Sequence, residues 1–309
     1  MSRITPFIAL FAKGMAMGAA DVVPGVSGGT IAFITGIYDR LLNALKNVPA
    51  GIKVLFSDGI KAAWTTMDAT FLLCLFSGVL TSILSFAHLV SYLLATYPVM
   101  LWSFFFGLIL VSGCHMLRQV DRWHAGTWGS LLFGVLFSYS VGILTPSAVT
   151  PDLGIFFFAG ALAICAMILP GISGSFILLM LGLYSAVMEA VKNFDLTVMA
   201  VFACGCLAGL LSFSHLLSWL LKRYRAMTLS LLTGLMIGAL HQVWPWKQTL
   251  QTRINSAGEE VPLLQGNLSP FSYESLTGQS AYMVESVALM FIAIALVLVL
   301  EKVGSKGKE

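Results

Sequence analysis

The chain reads as an all-α polytopic membrane protein built as an inverted repeat, and three observations lead there. Of its 309 residues 58% are hydrophobic and only 10% charged, where soluble domains carry about 25% charged; mean hydropathy is +0.90. Pro24-Gly25-Val26-Ser27-Gly28 returns as Pro170-Gly171-Ile172-Ser173-Gly174, an offset of 146 residues (170 − 24). Lys and Arg are spread over the loops in a pattern that re-entrant hairpins satisfy and kinked single spans do not. Each half is then one broken helical hairpin with a Pro-Gly-x-Ser-Gly tip, followed by three transmembrane helices.

The first element is a hairpin over 7–37. Its Pro-Gly break interrupts an apolar stretch, and backbone that leaves a helix inside a membrane must bond to protein, water or ligand, because lipid offers no partner. The same offset pairs Gly14 with Gly160, Ala20 with Ala166, Gly36 with Gly182, Tyr38 with Tyr184 and Lys46-Asn47 with Lys192-Asn193, which places the second hairpin over 154–190. Paired, interrupted apolar segments in two halves of a membrane protein point to a transport site. Apolar runs of spanning length predict helices over 70–94, 98–117, 126–145, 199–221, 226–243 and 281–301. A second offset of 127 (215 − 88) joins Gly78-Val-Leu80 to Gly205-Cys-Leu207, and Ser85-Phe86-Ala-His88 to Ser212-Phe213-Ser-His215. The extra 19 residues (146 − 127) of the first half fall in 48–68, where Lys53, Lys61 and Trp64 suggest an interfacial amphipathic helix. The first repeat is thus 1–125 with 126–145 as its third helix, and the second is 146–309.

With hairpins that enter and leave on one side, Arg3, the 38–68 loop, the 118–125 loop, Lys222, Arg223 and Arg225, and the tail with Lys302, Lys306 and Lys308 all face one side, the cytoplasm. The opposite face receives the turn near Ala95–Pro98, a 146–153 loop without Lys or Arg, and the 244–280 loop, where Lys247 and Arg253 are offset by Glu259, Glu260 and Glu274. Both termini are then cytoplasmic, and the two halves are inverted. Lys13 interrupts the first apolar run, so no cleavable signal peptide is expected. The formal charge of +3 comes from short loops rather than one basic patch, so nucleic-acid binding has no support. All five cysteines lie in apolar segments without zinc or redox spacing.

The residues that could carry chemistry centre on the tips. Gly25, Gly28, Gly29, Gly171 and Gly174 allow close backbone approach, and the arm that follows each turn aims its free N–H groups at the tip. With Val26 and Ile172 in the turns and Ser27, Thr30, Ser173 and Ser175 as neutral donors, the tips suit an anion such as phosphate or carboxylate. The plainer alternative is that Pro-Gly turns the chain and the serines cap the second arm. Asp21 lies three residues before Pro24, and its repeat partner is Met167. A carboxylate inside a membrane costs about 2.5–3.5 kcal/mol on insertion scales; it reads either as a coupling site for H⁺ or Na⁺ or as the partner of Lys13. His88 and His215 would form a symmetric relay or simply bond to neighbours. Arg118 and Arg122 would attract lipid phosphate or only anchor a helix end. Glu285 complements the dipole of the last helix.

The stretch from Gly14 through Asp21 to Thr30, with Leu169–Ser175 and Gly182-Leu-Tyr184, closely resembles a bacterial inner-membrane family. It was long called domain of unknown function 368, and its members are described as polyprenyl-phosphate transporters. The resemblance covers nearly the whole chain. It implies a non-enzymatic protein of the cytoplasmic membrane that returns undecaprenyl phosphate to the inner leaflet, without a cofactor beyond a coupling ion. Ser175-Phe176 stands where the first turn has Gly29-Thr30, which gives the second turn a bulkier rim. A transporter of a small soluble anion would use the same turns but needs an occluded aqueous cavity. A membrane-embedded lipid phosphatase would need a nucleophile or metal cluster, and no paired His/Asp/Glu set is visible.

Overall fold

The computed structural model describes residues 5–22, 27–143, 152–254 and 260–305. Helix α1 (Thr5–Val22) leads into the first duplicated turn, and α2 (Gly28–Ile34), α3 (Tyr38–Ser57) and α4 (Ile60–Thr66) follow it. Three long helices come next: α5 (Ala69–Thr96), α6 (Pro98–Arg118) and α7 (Ala125–Ile143). The second half runs α8 (Leu153–Ile168), α9 (Gly174–Met180), α10 (Tyr184–Lys192), α11 (Leu196–Arg223) and α12 (Arg225–Ala239). A hairpin of β1 (Lys247–Ile254) and β2 (Glu260–Asn267), then α13 (Pro270–Thr277) and α14 (Met283–Ser305), complete the chain.

Two helices of the second half start on carboxylates that cap them. Asp152 accepts from Ile155 N at 2.8 Å to open α8, and Asp195 accepts from Thr197 N and Val198 N at 3.1 Å each to open α11; each satisfies amide donors that a helix start leaves over. Among the described residues α5, α6, α7 and α11 are long and apolar enough to cross a membrane, and α9 with α10 would add a fifth span bent by 109°. Large apolar side chains such as Leu73, Leu84, Phe133, Phe158 and Phe291 face outward, as a lipid-facing surface requires. The chain is a multi-pass membrane protein, predominantly helical.

Corresponding helices of the two halves match in length and at their ends. Both α2 and α9 are seven residues long. Each ends on a glycine in the left-handed region, Gly36 at φ 71° and Gly182 at φ 70°. The next amide then bonds five residues back, Ile37 N to Ala32 O at 3.0 Å and Leu183 N to Leu178 O at 2.9 Å, the C-terminal lock that glycine permits. Tyr97 and Tyr224, which open α6 and α12, share a backbone conformation (φ −132°, ψ 53° and φ −131°, ψ 47°). Helix α1 packs on α5, and α8 on α11. At both crossings a glycine pair, Gly14 with Gly78 and Gly160 with Gly205, lets the backbones touch, since a Cβ there would strike a carbonyl of the other helix. The halves also exchange their last helices: α7 packs on α12, and α14 on α6. Leu108, Ile109 and Met116 of α6 join Leu229, Leu232 and Met236 of α12 in the buried centre.

Three features differ from the sequence expectation. The segment after Ile37, read as a cytoplasmic loop, begins as buried helix, because Tyr38, Leu41, Leu42 and Leu45 present one apolar face to the core. Helix α12 stops at Ala239 rather than near 243. The 244–280 loop carries an antiparallel β-hairpin with a register irregularity around Gln251, so the protein is not wholly helical. Trp246 Nε1 donates to Ala281 O at 2.9 Å, and Trp244 Nε1 to Leu268 O at 2.8 Å, and these bonds tie the hairpin to the end of the helical bundle.

Candidate functional site

Helix α2 begins where α1 ends, and α1 holds it at both ends. Ser27, in extended conformation, is its N-cap and accepts from Gly29 N at 3.1 Å, while Thr30 N donates to Ser27 O at 2.9 Å. The remaining donor of that first turn, Gly28 N, goes to Asp21 Oδ1 at 2.7 Å. At the other end Lys13 Nζ donates to Thr35 O at 2.8 Å. The acid therefore sits at the positive end of the α2 dipole and the base at its negative end, each the favourable sign. The lengths agree: eight residues of α1 from Lys13 to Asp21 rise about 12 Å and seven from Gly28 to Thr35 about 10 Å. A Cβ on Gly28 would fall 2.5 Å from Asp21 Oδ2, so this glycine is required by the carboxylate next to it.

The second turn leaves α8 through Leu169 and Pro170, and Gly171 takes φ 85°. Ser173 opens α9 without a side-chain cap bond; its hydroxyl instead lies 2.8 Å from that of Ser175. Ser173 is buried and Ser175 exposed. Met167 occupies the place of Asp21, so this turn lacks the carboxylate that the first one has.

The two turns are knotted together across the halves. The last carbonyls of α8 have no partner within their own helix, and hydroxyls of the first half serve them. Ser27 Oγ lies 3.2 Å from both Met167 O and Leu169 O, and Tyr38 Oη donates to Ile168 O at 2.9 Å. In return Gly171 N donates to Thr30 Oγ1 at 3.1 Å. Ser27, Thr30 and Tyr38 are almost fully buried, so each lost bond would leave a polar group stranded. Phe176 stands where Thr30 does in the other half, so that position of the second turn offers no hydroxyl.

Of the residues singled out from sequence, Ser27, Gly28, Gly29, Thr30 and Asp21 thus converge on one locus with Gly171, while Ile172, Ser173, Gly174 and Ser175 line the adjoining turn. Gly25 and Val26 lie outside the described residues, as does the side chain of His88, which falls in α5. His215 is exposed, and its Nδ1 lies 2.7 Å from Leu211 O, a bond within its own helix. Arg118 is exposed at the end of α6. Among the described residues no three His, Cys, Asp or Glu side chains cluster in a way that could hold a metal ion. Sequence reasoning assigned no role to Tyr38 beyond its pairing with Tyr184. It also passed over Lys247, whose Nζ donates to Gln242 O and lies 4.0 Å above the Trp102 ring. Burial lowers the Lys247 ammonium to about 7.

Comparison with known proteins adds to this geometry. A family model described as undecaprenyl phosphate translocase-like matches residues 17–261. A polyprenyl-phosphate transporter of Vibrio cholerae is 53% identical over 301 residues, 97% of this chain and 98% of that protein. A polyprenyl-phosphate transporter of Staphylococcus aureus is 33% identical over 251 residues, 75% of this chain and 84% of that protein. No solved structure matches. With a match that spans most of its length and takes in the knotted turns, the chain belongs to the undecaprenyl phosphate translocase-like family.

Proposed function

We propose that this chain carries undecaprenyl phosphate across the bacterial cytoplasmic membrane by alternating access, with the phosphate handled at the two knotted turns. The observation that carries the reading is the buried polar locus itself, where Ser27, Thr30 and Tyr38 meet the Met167–Gly171 backbone. A charged head group needs such a path through a low-dielectric layer, whereas its polyprenyl tail can stay in lipid. Relatives that carry the name polyprenyl-phosphate transporter support the substrate.

The halves act as inverted repeats with re-entrant hairpins. Arg40 pairs with Asp68 just before α5 begins, at 2.6 Å. The neighbouring Asp39 faces Arg225 just after α11 ends, at 3.5 Å. The start of α5 and the end of α11 therefore share one side, as antiparallel equivalents should. That side is the cytoplasmic one by its Lys and Arg content. In a background without the five native cysteines, single cysteines at the exposed Asn47 and Asn193 should label from opposite sides; labelling from one side would exclude the inversion.

Asp21 couples transport to H⁺ or Na⁺. Its carboxylate holds the amide at the mouth of α2 and would repel an incoming phosphate, so neutralising it removes that repulsion and weakens its hold on Gly28 N–H. The protein acts as a carrier and not as an enzyme. In proteoliposomes, a labelled polyprenyl phosphate should cross between leaflets with the parent protein and about tenfold more slowly with Ser27→Ala/Thr30→Val, the effect of roughly 1.4 kcal/mol. Release of free phosphate, or crossing that ignores both substitutions, would refute the reading.

A further inference from the structure

Away from the knotted turns, both halves contribute to a cavity of about 100 Å³ on the face that carries the Arg40–Asp68 pair. Helix α3 supplies Asp39, Leu42 and Asn43; α11 supplies Ser218, Leu221 and Lys222; Arg225 opens α12 at the rim. Leu42 and Leu221 are buried and form an apolar floor. Above it Ser218 Oγ donates to Asn43 Oδ1 at 3.3 Å, and Asn43 Nδ2 donates to Asp39 O at 2.8 Å. Two cations and one acid ring the opening, a net positive rim around neutral hydrogen-bonding groups.

We propose that this cavity is a phosphomonoester subsite, in which Arg225 and Lys222 hold the phosphate oxygens beside Ser218 and Asn43, with Asp39 as the resident anion that the phosphate displaces. Arg225 Nη1 stands 3.5 Å from Asp39 Oδ2, and the two side chains are 51% and 57% exposed. Such an exposed pair holds weakly, whereas a phosphate dianion offers the guanidinium a bidentate, charge-assisted partner. Neighbouring aromatic side chains favour a lipid head group over free phosphate. Trp219 and Tyr224, next in sequence to the lining residues Ser218 and Arg225, are both exposed with ring centroids 5.7 Å apart, and aromatic pairs of this kind mark the head-group level of a membrane. The cavity also lies between α3 of one half and α11 of the other, so a head group seated there bridges parts that alternating access would move. This inference rests on the transport reading only in naming the lipid; the anion chemistry stands on the cavity alone.

The test is binding of undecaprenyl phosphate to the purified full-length protein, with undecaprenol and inorganic phosphate as separate arms. Arg225→Gln should weaken lipid binding about tenfold, the loss of one charge-assisted contact, and Lys222→Gln less. Asp39→Asn should strengthen it, since the competitor is gone. Opposite signs at Asp39 and Arg225 separate a subsite from a latch, because removing either half of a purely structural pair acts in the same direction. Undecaprenol should not bind here. If inorganic phosphate reproduces the opposite signs while the lipid does not bind the parent, the subsite stands as a free-anion site and the transport reading falls. Unchanged or same-sign affinities, with lipid transport intact in the parent, overturn the subsite and leave the transport reading standing. The same holds if neither phosphate source binds in a way that depends on Arg225.

Discussion

At the scale of single residues, the hydroxyls that serve the end of α8 are buried and bonded across the halves, which leaves little tolerance for substitution. Tyr38→Phe keeps the ring and its tilted contact with Phe33 but strands Ile168 O in a buried place. It should cost about 1–3 kcal/mol of stability, as leaving a buried acceptor unsatisfied does, read as lower resistance to denaturation in detergent; an unchanged variant would mean that water replaces the hydroxyl. Lys247 makes a prediction of the opposite kind. Burial holds its ammonium near 7 in the folded protein, far below the ordinary lysine value, despite the Trp102 face that favours its charge. Between pH 7 and the ordinary lysine range the unfolded chain carries a proton there that the folded one lacks, so stability should rise with pH across that window. Lys247→Met should flatten that rise and stabilise the protein most at and below pH 7, where the folded lysine must be charged. A parent and variant with parallel pH–stability curves would refute the assignment. The residue types at the turns were legible in sequence, since Pro-Gly-x-Ser-Gly twice over announces broken helices. Their partners were not, because Tyr38 and Ile168 stand 130 residues apart and no local pattern records such a bond.

At the scale of elements, the duplication foretold equivalent pieces, and it did so through glycine. Gly36 and Gly182 end α2 and α9 with the same left-handed residue. Because a Cβ at Gly36 would meet nothing within 4 Å, Gly36→Ala isolates the backbone term. It should destabilise by about 1–2 kcal/mol, the left-handed cost for an L-residue, in an equilibrium unfolding measurement; no loss would mean that the turn adjusts. Gly28→Ala should do more, since its Cβ meets the Asp21 carboxylate. Loss of transport in that variant would therefore report the α1–α2 clasp as much as any substrate contact. The start of α3 was misread because Arg40 and Lys46 drew the segment into a cytoplasmic loop. The spacing of Tyr38, Leu41, Leu42 and Leu45, a helical apolar face, was the better signal. The β-hairpin escaped for a different reason: Pro262 lies inside β2 and Gln, Thr and Arg dominate β1, so neither strand alternates clearly. The asymmetry of the turns also had a legible half, the Asp21–Met167 mismatch, and a hidden half, the amide that Asp21 occupies.

At the scale of the whole molecule, a pair of near-equivalent halves offers two near-equivalent states, and a carrier that moves its cargo in one direction needs something to tell them apart. In the coupling proposal above, that element is Asp21. It sits on the first amide of α2 at 2.7 Å, and its counterpart is Met167, so the halves differ there in charge. Carboxylate and phosphate cannot share that amide cheaply, because like charges at close range raise each other's cost in a poorly screened site. Binding of one therefore favours release or neutralisation of the other, which is the linkage that coupled transport requires. Asp21→Asn keeps an oxygen that can accept from Gly28 N, so the α1–α2 clasp should survive and the protein should remain in the membrane. If Asp21 is the coupling site, the substrate of this variant no longer has to wait for an ion. Proteoliposomes with the variant should retain downhill exchange of a labelled polyprenyl phosphate while losing any response to an imposed proton or sodium gradient. If the variant still concentrates substrate under a gradient with the parent's pH and sodium response, Asp21 is part of the clasp alone and the directional element lies elsewhere in the fold.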